Sequence, residues 1–132
     1  MTTPITVLVV EDEYAIADLL EMVLTDEGYR VVRAANGHQG LQRLAEDPAP
    51  DLLITDFMTP ILDGAGFIQA MRSTNDQRDI PYIVISSMPE SSVRARINGY
   101  AAFLRKTFRL TEVIQVVRRP RSDWIGISLP FS

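Results

Sequence analysis

Val7-Leu8-Val9-Val10-Glu11-Asp12 is a short apolar run that stops on two carboxylates. Two other apolar runs end on a charge in the same way: Leu52-Leu53-Ile54-Thr55 is closed by Asp56, and Ala101-Ala102-Phe103-Leu104 is followed after Arg105 by Lys106, the only lysine in the chain. If these runs are neighbouring parallel strands, their carboxyl ends bring three acids and one ammonium together in a pocket.

The runs at 5–10, 30–34, 51–55, 81–86 and 101–104 are short, β-branched or apolar, and bounded by turn residues, which predicts five strands. Helical periodicity fills the intervals. Ile16, Leu19, Leu20, Val23 and Leu24 form a stripe that ends near Gly28, a residue suited to the position just past a helix. Further helices are expected over 40–46, over 65–72 with Phe67, Ile68 and Met71 inward, over 91–98, and over 110–119 with Val113, Val116 and Val117 inward and Pro120 as the stop. Strictly alternating strand and helix gives an α/β fold, a doubly wound five-stranded parallel sheet, because parallel connections cross over right-handedly. By analogy with the flavodoxin-like (βα)5 arrangement the strand order is 2-1-3-4-5, and ligands bind where that order reverses, between strands one and three. Glu11, Asp12 and Asp56 end those two strands.

Composition narrows the field. At 132 residues the chain accommodates one domain. The net charge of -4 argues against a broad nucleic-acid footprint. Without cysteine there is neither a disulfide framework nor a thiolate metal site, and a cytoplasmic location is the expectation. No apolar run is long enough for a membrane span, and residues 1–4 have no leader-like character, so a soluble, unprocessed protein is expected.

Carboxylates this close together either raise a pKa or hold a cation; an oxygen-only set favours a hard ion, and a site open to water with only two or three carboxylates suits Mg²⁺ better than Ca²⁺. With a cation present, a carboxylate can serve as nucleophile toward a phosphoryl group while a lysine neutralises the transferring oxygens. The ordered motifs Val9-Val10-Glu11-Asp12-Glu13, Thr55-Asp56-Phe57-Met58-Thr59-Pro60-Ile61-Leu62-Asp63-Gly64, Val84-Ile85-Ser86-Ser87 and Phe103-Leu104-Arg105-Lys106 resemble the receiver domain of two-component response regulators, the CheY-like superfamily. The resemblance runs from about Ile5 to Arg119. Taken singly each motif is weak, and the ordered set is specific.

The resemblance implies a receiver domain over residues 1–119 and a C-terminal tail over 120–132. It further implies that Asp56 is the phosphoacceptor, that Asp12 binds Mg²⁺ (or Mn²⁺) directly with Asp56 and the Met58 backbone carbonyl, and that Glu11 assists through water. Ser86 and Lys106 would bind the phosphoryl group, Asp56 and Lys106 being the catalytic pair, and Phe103 would turn inward behind Ser86 as the switch aromatic. The donor would be a histidine kinase or a histidine phosphotransfer protein. The output would be an altered helix 4-strand 5-helix 5 face that binds an unknown downstream protein, with no direct nucleic-acid or membrane contact. On this reading the chain is a signalling domain and not an enzyme in the usual sense. His38 is expected to be exposed and incidental, and Asp63 a turn or N-cap residue.

Several residues depart from the family pattern. Thr107 stands where proline is usual, often after a cis bond; before a non-proline residue cis costs ~2.5–4 kcal/mol, so trans is expected. The stretch between Ser86 and Lys106 is short, which places a loss in helix four. Arg94, Arg96, Arg105 and Arg109 predict a basic outward face there, and Met58 and Met88 occupy positions that in the family tune dephosphorylation. The apolar tail, with Trp124, Ile125, Ile127, Leu129 and Phe131, is expected to pack back on the domain, or else to dock a partner or form a homodimer contact.

Three rival functions share parts of this pattern. A flavodoxin-type FMN protein needs a phosphate-cradling first loop, which Glu11-Asp12-Glu13 would repel. A haloacid-dehalogenase-type phosphatase needs an aspartate where Met58 stands. The remaining rival is a pseudo-receiver, an interaction module of the same fold that is not phosphorylated.

Overall fold

The computed structural model describes residues 4–46, 50–59, 62–73, 80–106 and 109–118. Strands β1 (Thr6–Val10), β2 (Arg30–Ala34), β3 (Leu52–Asp56), β4 (Tyr82–Ser86) and β5 (Ala102–Arg105) alternate with helices α1 (Tyr14–Asp26), α2 (Gly37–Leu44), α3 (Gly64–Arg72), α4 (Glu90–Arg94) and α5 (Leu110–Val117). All pairings are parallel, in the order β2-β1-β3-β4-β5. The expected doubly wound topology is therefore present, and β1 lies beside β3 with Val10 opposite Thr55.

Strand alternation divides the core in two. Val7, Val9, Leu52, Ile54, Ile83, Ile85 and Leu104 face α1 and α5, whereas Leu8, Val10, Leu53, Tyr82, Val84 and Phe103 face α2, α3 and α4. Because β1, β3 and β4 are buried on both faces, they read as unbroken apolar runs. The edge strand β2 is more exposed. Phe67, Ile68 and Met71 of α3 and Val113, Val116 and Val117 of α5 point inward as the periodicity required.

The helices differ from expectation in identifiable ways. In α1 the stripe member Leu19 is 43% exposed, and Ala17 takes the buried place instead. That helix ends as expected, with Gly28 at φ 91. Helix α2 begins at Gly37 and not at residue 40, because the Asn36 side chain accepts from the Gln39 N–H at 2.9 Å and caps it. Helix α4 is cut to five residues, against the eight expected. Its chain is turned by Gly99 at φ 81, and the Asn98 carbonyl accepts from Arg72 Nη2 at 2.7 Å. Asp63 caps α3 by accepting from the Gly66 N–H at 2.9 Å, as its sequence context indicated.

Gly64 fixes the floor of the β3 loop. A Cβ there would meet the Asp56 carbonyl oxygen at 2.6 Å and Phe57 Cα at 2.9 Å, both backbone atoms that cannot swing aside. Gly64→Ala is therefore expected to cost roughly 1–3 kcal/mol, the range of overpacking in a close-packed interior. Urea unfolding should show a lowered midpoint at unchanged slope.

Candidate functional site

Parallel β1, β3 and β5 deliver the charged residues to one end of the sheet. Asp56 is the last residue of β3 and not the residue after it, and it is 1% exposed. Its Oδ1 accepts from the Met58 N–H at 3.1 Å, a backbone bond that fixes the carboxylate plane. Glu11 follows β1 and is 3% exposed; its Oε2 accepts from the Glu13 N–H at 3.0 Å. Asp12 is exposed. One carboxylate oxygen each from Glu11, Asp12 and Asp56 lies within 4.8 Å of the others.

Lys106, one residue past β5, enters this group from above. Its Nζ donates to Asp56 Oδ2 at 2.9 Å, to Glu11 Oε2 at 3.3 Å and to Glu13 Oε1 at 2.7 Å. Burial opposes the ammonium, but the hydrogen bonds to Glu13 and Asp56 outweigh it and hold the lysine pKa above its ordinary value. Burial, with Asp56 adding to it, pushes the Glu11 carboxyl up to about 8 against the pull of the Glu13 N–H and of Lys106. Glu11 Oε1 is buried with no hydrogen-bond partner among the described residues. An orphaned carboxylate oxygen beside two further acids, with no nitrogen or sulfur ligand in the set, fits a hard divalent cation that prefers oxygen.

The remaining expected residues sit around this centre. Ser86 ends β4 and is fully buried, its Oγ accepting from the Met88 N–H at 2.9 Å, and its carbonyl accepts from the Lys106 N–H at 2.9 Å. It thus adjoins Lys106 through the backbone. Phe103 is half-buried on the α3–α4 side, its ring 6.3 Å from that of Tyr100. Tyr100 in turn donates to Glu90 of α4 at 2.6 Å, which ties the short helix to the residues before β5. The expected basic face is partly neutralised: Arg94 pairs with Glu90 at 3.3 Å and Arg96 with Asp63 at 3.1 Å. His38 is exposed on α2. The Lys106–Thr107 bond and the tail from 119 onward lie outside the described residues.

Sequence reasoning missed Glu13 as a partner of Lys106. A usable signal existed, since Glu13 occupies the N-cap of α1, where Ser, Thr, Asp or Asn is preferred, and makes no side-chain capping bond.

A doubly wound sheet with acids just after β1 and at the end of β3 and a lysine just after β5 is the arrangement that the resemblance to receiver domains implied. The model of the response regulator receiver domain matches residues 7–118, and the chain belongs to that family. It is 34% identical over 136 aligned residues to the response regulator MprA of Mycobacterium avium, covering 96% of this chain and 58% of that protein. With the MprA of Mycolicibacterium vanbaalenii, 35% identical over 87% of this chain, the covered share is 49%, so the chain spans about half the length of the curated relatives it matches. Among solved structures it resembles the signal receiver domain of a histidine kinase from Syntrophus aciditrophicus, with TM-score 0.78, 29% identity and coverage of 96% and 98% of the two chains. It also resembles the receiver domain of a Pseudomonas aeruginosa sensor histidine kinase, with TM-score 0.78, 26% identity and coverage of 95% and 100%. That neighbour carries a magnesium ion coordinated in its active-site cleft. Receiver domains serve two-component signalling and are not classical enzymes, and response regulators act with histidine kinases. No helix among the described residues is long and apolar enough to cross a membrane.

Proposed function

We propose that this receiver accepts a phosphoryl group on Asp56 from a phosphohistidine on a kinase or phosphotransfer protein. The observation that carries the reading is the convergence on Asp56: Oδ2 lies 2.9 Å from the sole lysine, and the Glu11 and Asp12 carboxylates stand within cation-sharing distance. In the transfer an Asp56 carboxylate oxygen forms the new O–P bond as the P–N bond of the donor phosphohistidine breaks. The imidazole nitrogen departs with its electron pair, and an acyl phosphate remains on Asp56. Lys106 stabilises the equatorial phosphoryl oxygens, and the Met58 N–H holds the carboxylate in line. Glu11, Asp12, Asp56 and the Met58 carbonyl would hold Mg²⁺ or Mn²⁺, which when bound supplies charge neutralisation for the phosphoryl oxygens.

The acyl phosphate carries nearly two negative charges where the carboxylate carried one, a net gain of about one, together with new acceptor oxygens beside Ser86 and Lys106. Drawing the Ser86 hydroxyl off its Met88 bond opens space behind it for Phe103, which loosens the Tyr100–Glu90 tie to α4 and alters the α4–β5–α5 face. In this reading the receiver unit ends at residue 119, the tail 120–132 is an appendage, and the protein works in the cytoplasm. A pseudo-receiver is disfavoured because every acid and the lysine that the chemistry needs are gathered in one place.

Intact mass and Phos-tag mobility after acetyl phosphate with Mg²⁺ test the proposal, the expected result being one acid-labile phosphoryl adduct that needs the cation. Absence of an adduct with both acetyl phosphate and phosphohistidine donors would falsify it. Met58, 54% exposed beside Asp56, gives a further expectation. Its apolar side chain screens the acyl phosphate from water, so Met58→Asn should shorten the adduct's lifetime, read as the decay of the phosphorylated band.

A further inference from the structure

We propose that Glu13 is a positioning residue that holds Lys106 at the mouth of the pocket and competes with the incoming phosphoryl group for it. The inference rests on the phosphoacceptor reading for its kinetic consequence but not for its geometry. An ammonium has three N–H donors, and all three are spent here, on Asp56, Glu11 and Glu13. The shortest of these bonds, 2.7 Å, goes to Glu13. Glu13 differs from the other two acceptors in being accessible: its side chain is 57% exposed, against 2% for Asp56 and 0% for Glu11.

The backbone explains why this carboxylate is available. Glu13 is locked at the N-cap of α1, its N–H donating to Glu11 Oε2 and its carbonyl accepting from the Ala17 N–H at 3.0 Å. Its side chain makes no capping bond and reaches across to the end of β5. Glu13 also stands outside the triad of acids whose oxygens converge, so occupation of that triad by a cation would leave the Glu13–Lys106 bond intact. Glu13 is thereby the contact that Lys106 must give up last when it turns to a phosphoryl oxygen. Because that contact is exposed, giving it up is cheap enough to act as a rate-tuning step and not as a block.

The test compares wild type, Glu13→Gln and Glu13→Asp with acetyl phosphate and Mg²⁺. Glutamine removes the charge, whereas aspartate keeps the charge but shortens the reach by one methylene. Both variants are expected to phosphorylate about two- to fivefold faster, the range that release of an exposed ion pair corresponds to. Independently of phosphorylation, the Lys106 NH₃⁺ signal is unambiguous because the chain has no other lysine, and its proton exchange with water should quicken in both variants. If aspartate behaves as wild type while glutamine is faster, charge near the entrance is the whole effect and the positioning role is overturned. Unchanged NH₃⁺ exchange in both variants overturns it as well. Should no protein form an adduct while exchange quickens as expected, the phosphoacceptor reading fails and the lysine-holding geometry stands.

Discussion

Asp56→Asn protein is expected to form no acid-labile phosphoryl adduct under conditions that label the wild type, while remaining folded. An amide oxygen is a far poorer nucleophile than a carboxylate and leaves no acyl phosphate of comparable stability. The substitution is close to isosteric, and the asparagine oxygen can still accept from the Met58 N–H that now holds Oδ1. Two opposing changes nearly cancel in stability. The Lys106–Asp56 bond is lost, because the amide nitrogen that takes the place of Oδ2 is itself a donor, but one of several crowded negative charges disappears. Unfolding free energy is therefore expected to stay within about 1 kcal/mol of wild type, an ordinary shift for a substitution that opens no cavity. Cation affinity behaves differently, because one of three converging carboxylates is lost. Titration calorimetry should show Mg²⁺ binding weakened by at least about tenfold, the lower end of what even supporting groups contribute at metal sites. Loss of the adduct together with collapse of the fold would shift the explanation from nucleophile to scaffold, and a urea melt on the same sample separates the two.

The sheet and its acidic pocket were legible because they rest on strong local signals. A strand buried on both faces is an unbroken apolar run, and a charge directly after it has nowhere to lie but the carboxyl edge; Val7–Val10 and Leu52–Asp56 follow that rule. Part of what escaped was a local signal passed over, and part depends on groups distant in sequence. The early start of α2 hangs on one Asn36 cap, and the truncation of α4 on the Gly99 turn and the Arg72 bond to the Asn98 carbonyl. Leu19 satisfies the period of α1 yet lies exposed, since periodicity marks a face of the helix and not the neighbour that covers it. At the site, Asp56, Glu11 and Lys106 were located by position alone. The part played by Glu13 was missed because it is a contact across 93 residues between a helix cap and the far strand, and a glutamate at an N-cap hints that its side chain is free without naming the partner. The arginines near α4 predicted a basic face that the structure tempers: Glu90 pairs with Arg94 one turn along the same helix, a spacing legible in the sequence, whereas Asp63 reaches Arg96 only through folding.

Lys106→Met is expected to produce the largest loss of stability among the site variants, and one that a cation repairs. The lysine side chain is only 15% exposed and contacts two nearly fully buried carboxylates. Removing one partner of a buried ion pair typically costs about 3–5 kcal/mol because the other charge is left without compensation. Here the loss should fall below that range, at roughly 2 kcal/mol, because the pocket opens to water through Asp12 and Glu13 and because Glu11 can take up a proton. The proton uptake fixes the pH dependence. Glu11 has its folded-state pKa raised from 4.5 to about 8, so the folded protein binds the extra proton and its stability falls as pH rises through that window. Without the ammonium the acids repel more strongly, and the fall should steepen; at pH 5 wild type and variant should differ less than at pH 8. Mg²⁺ supplies the missing positive charge, so adding it at pH 8 should raise the urea midpoint of the variant more than that of wild type. Equal Mg²⁺ responses in the two proteins would mean that the cation does not occupy the cluster that Lys106 neutralises. A stability gap that widened toward pH 5 would remove Glu11 protonation as the relief.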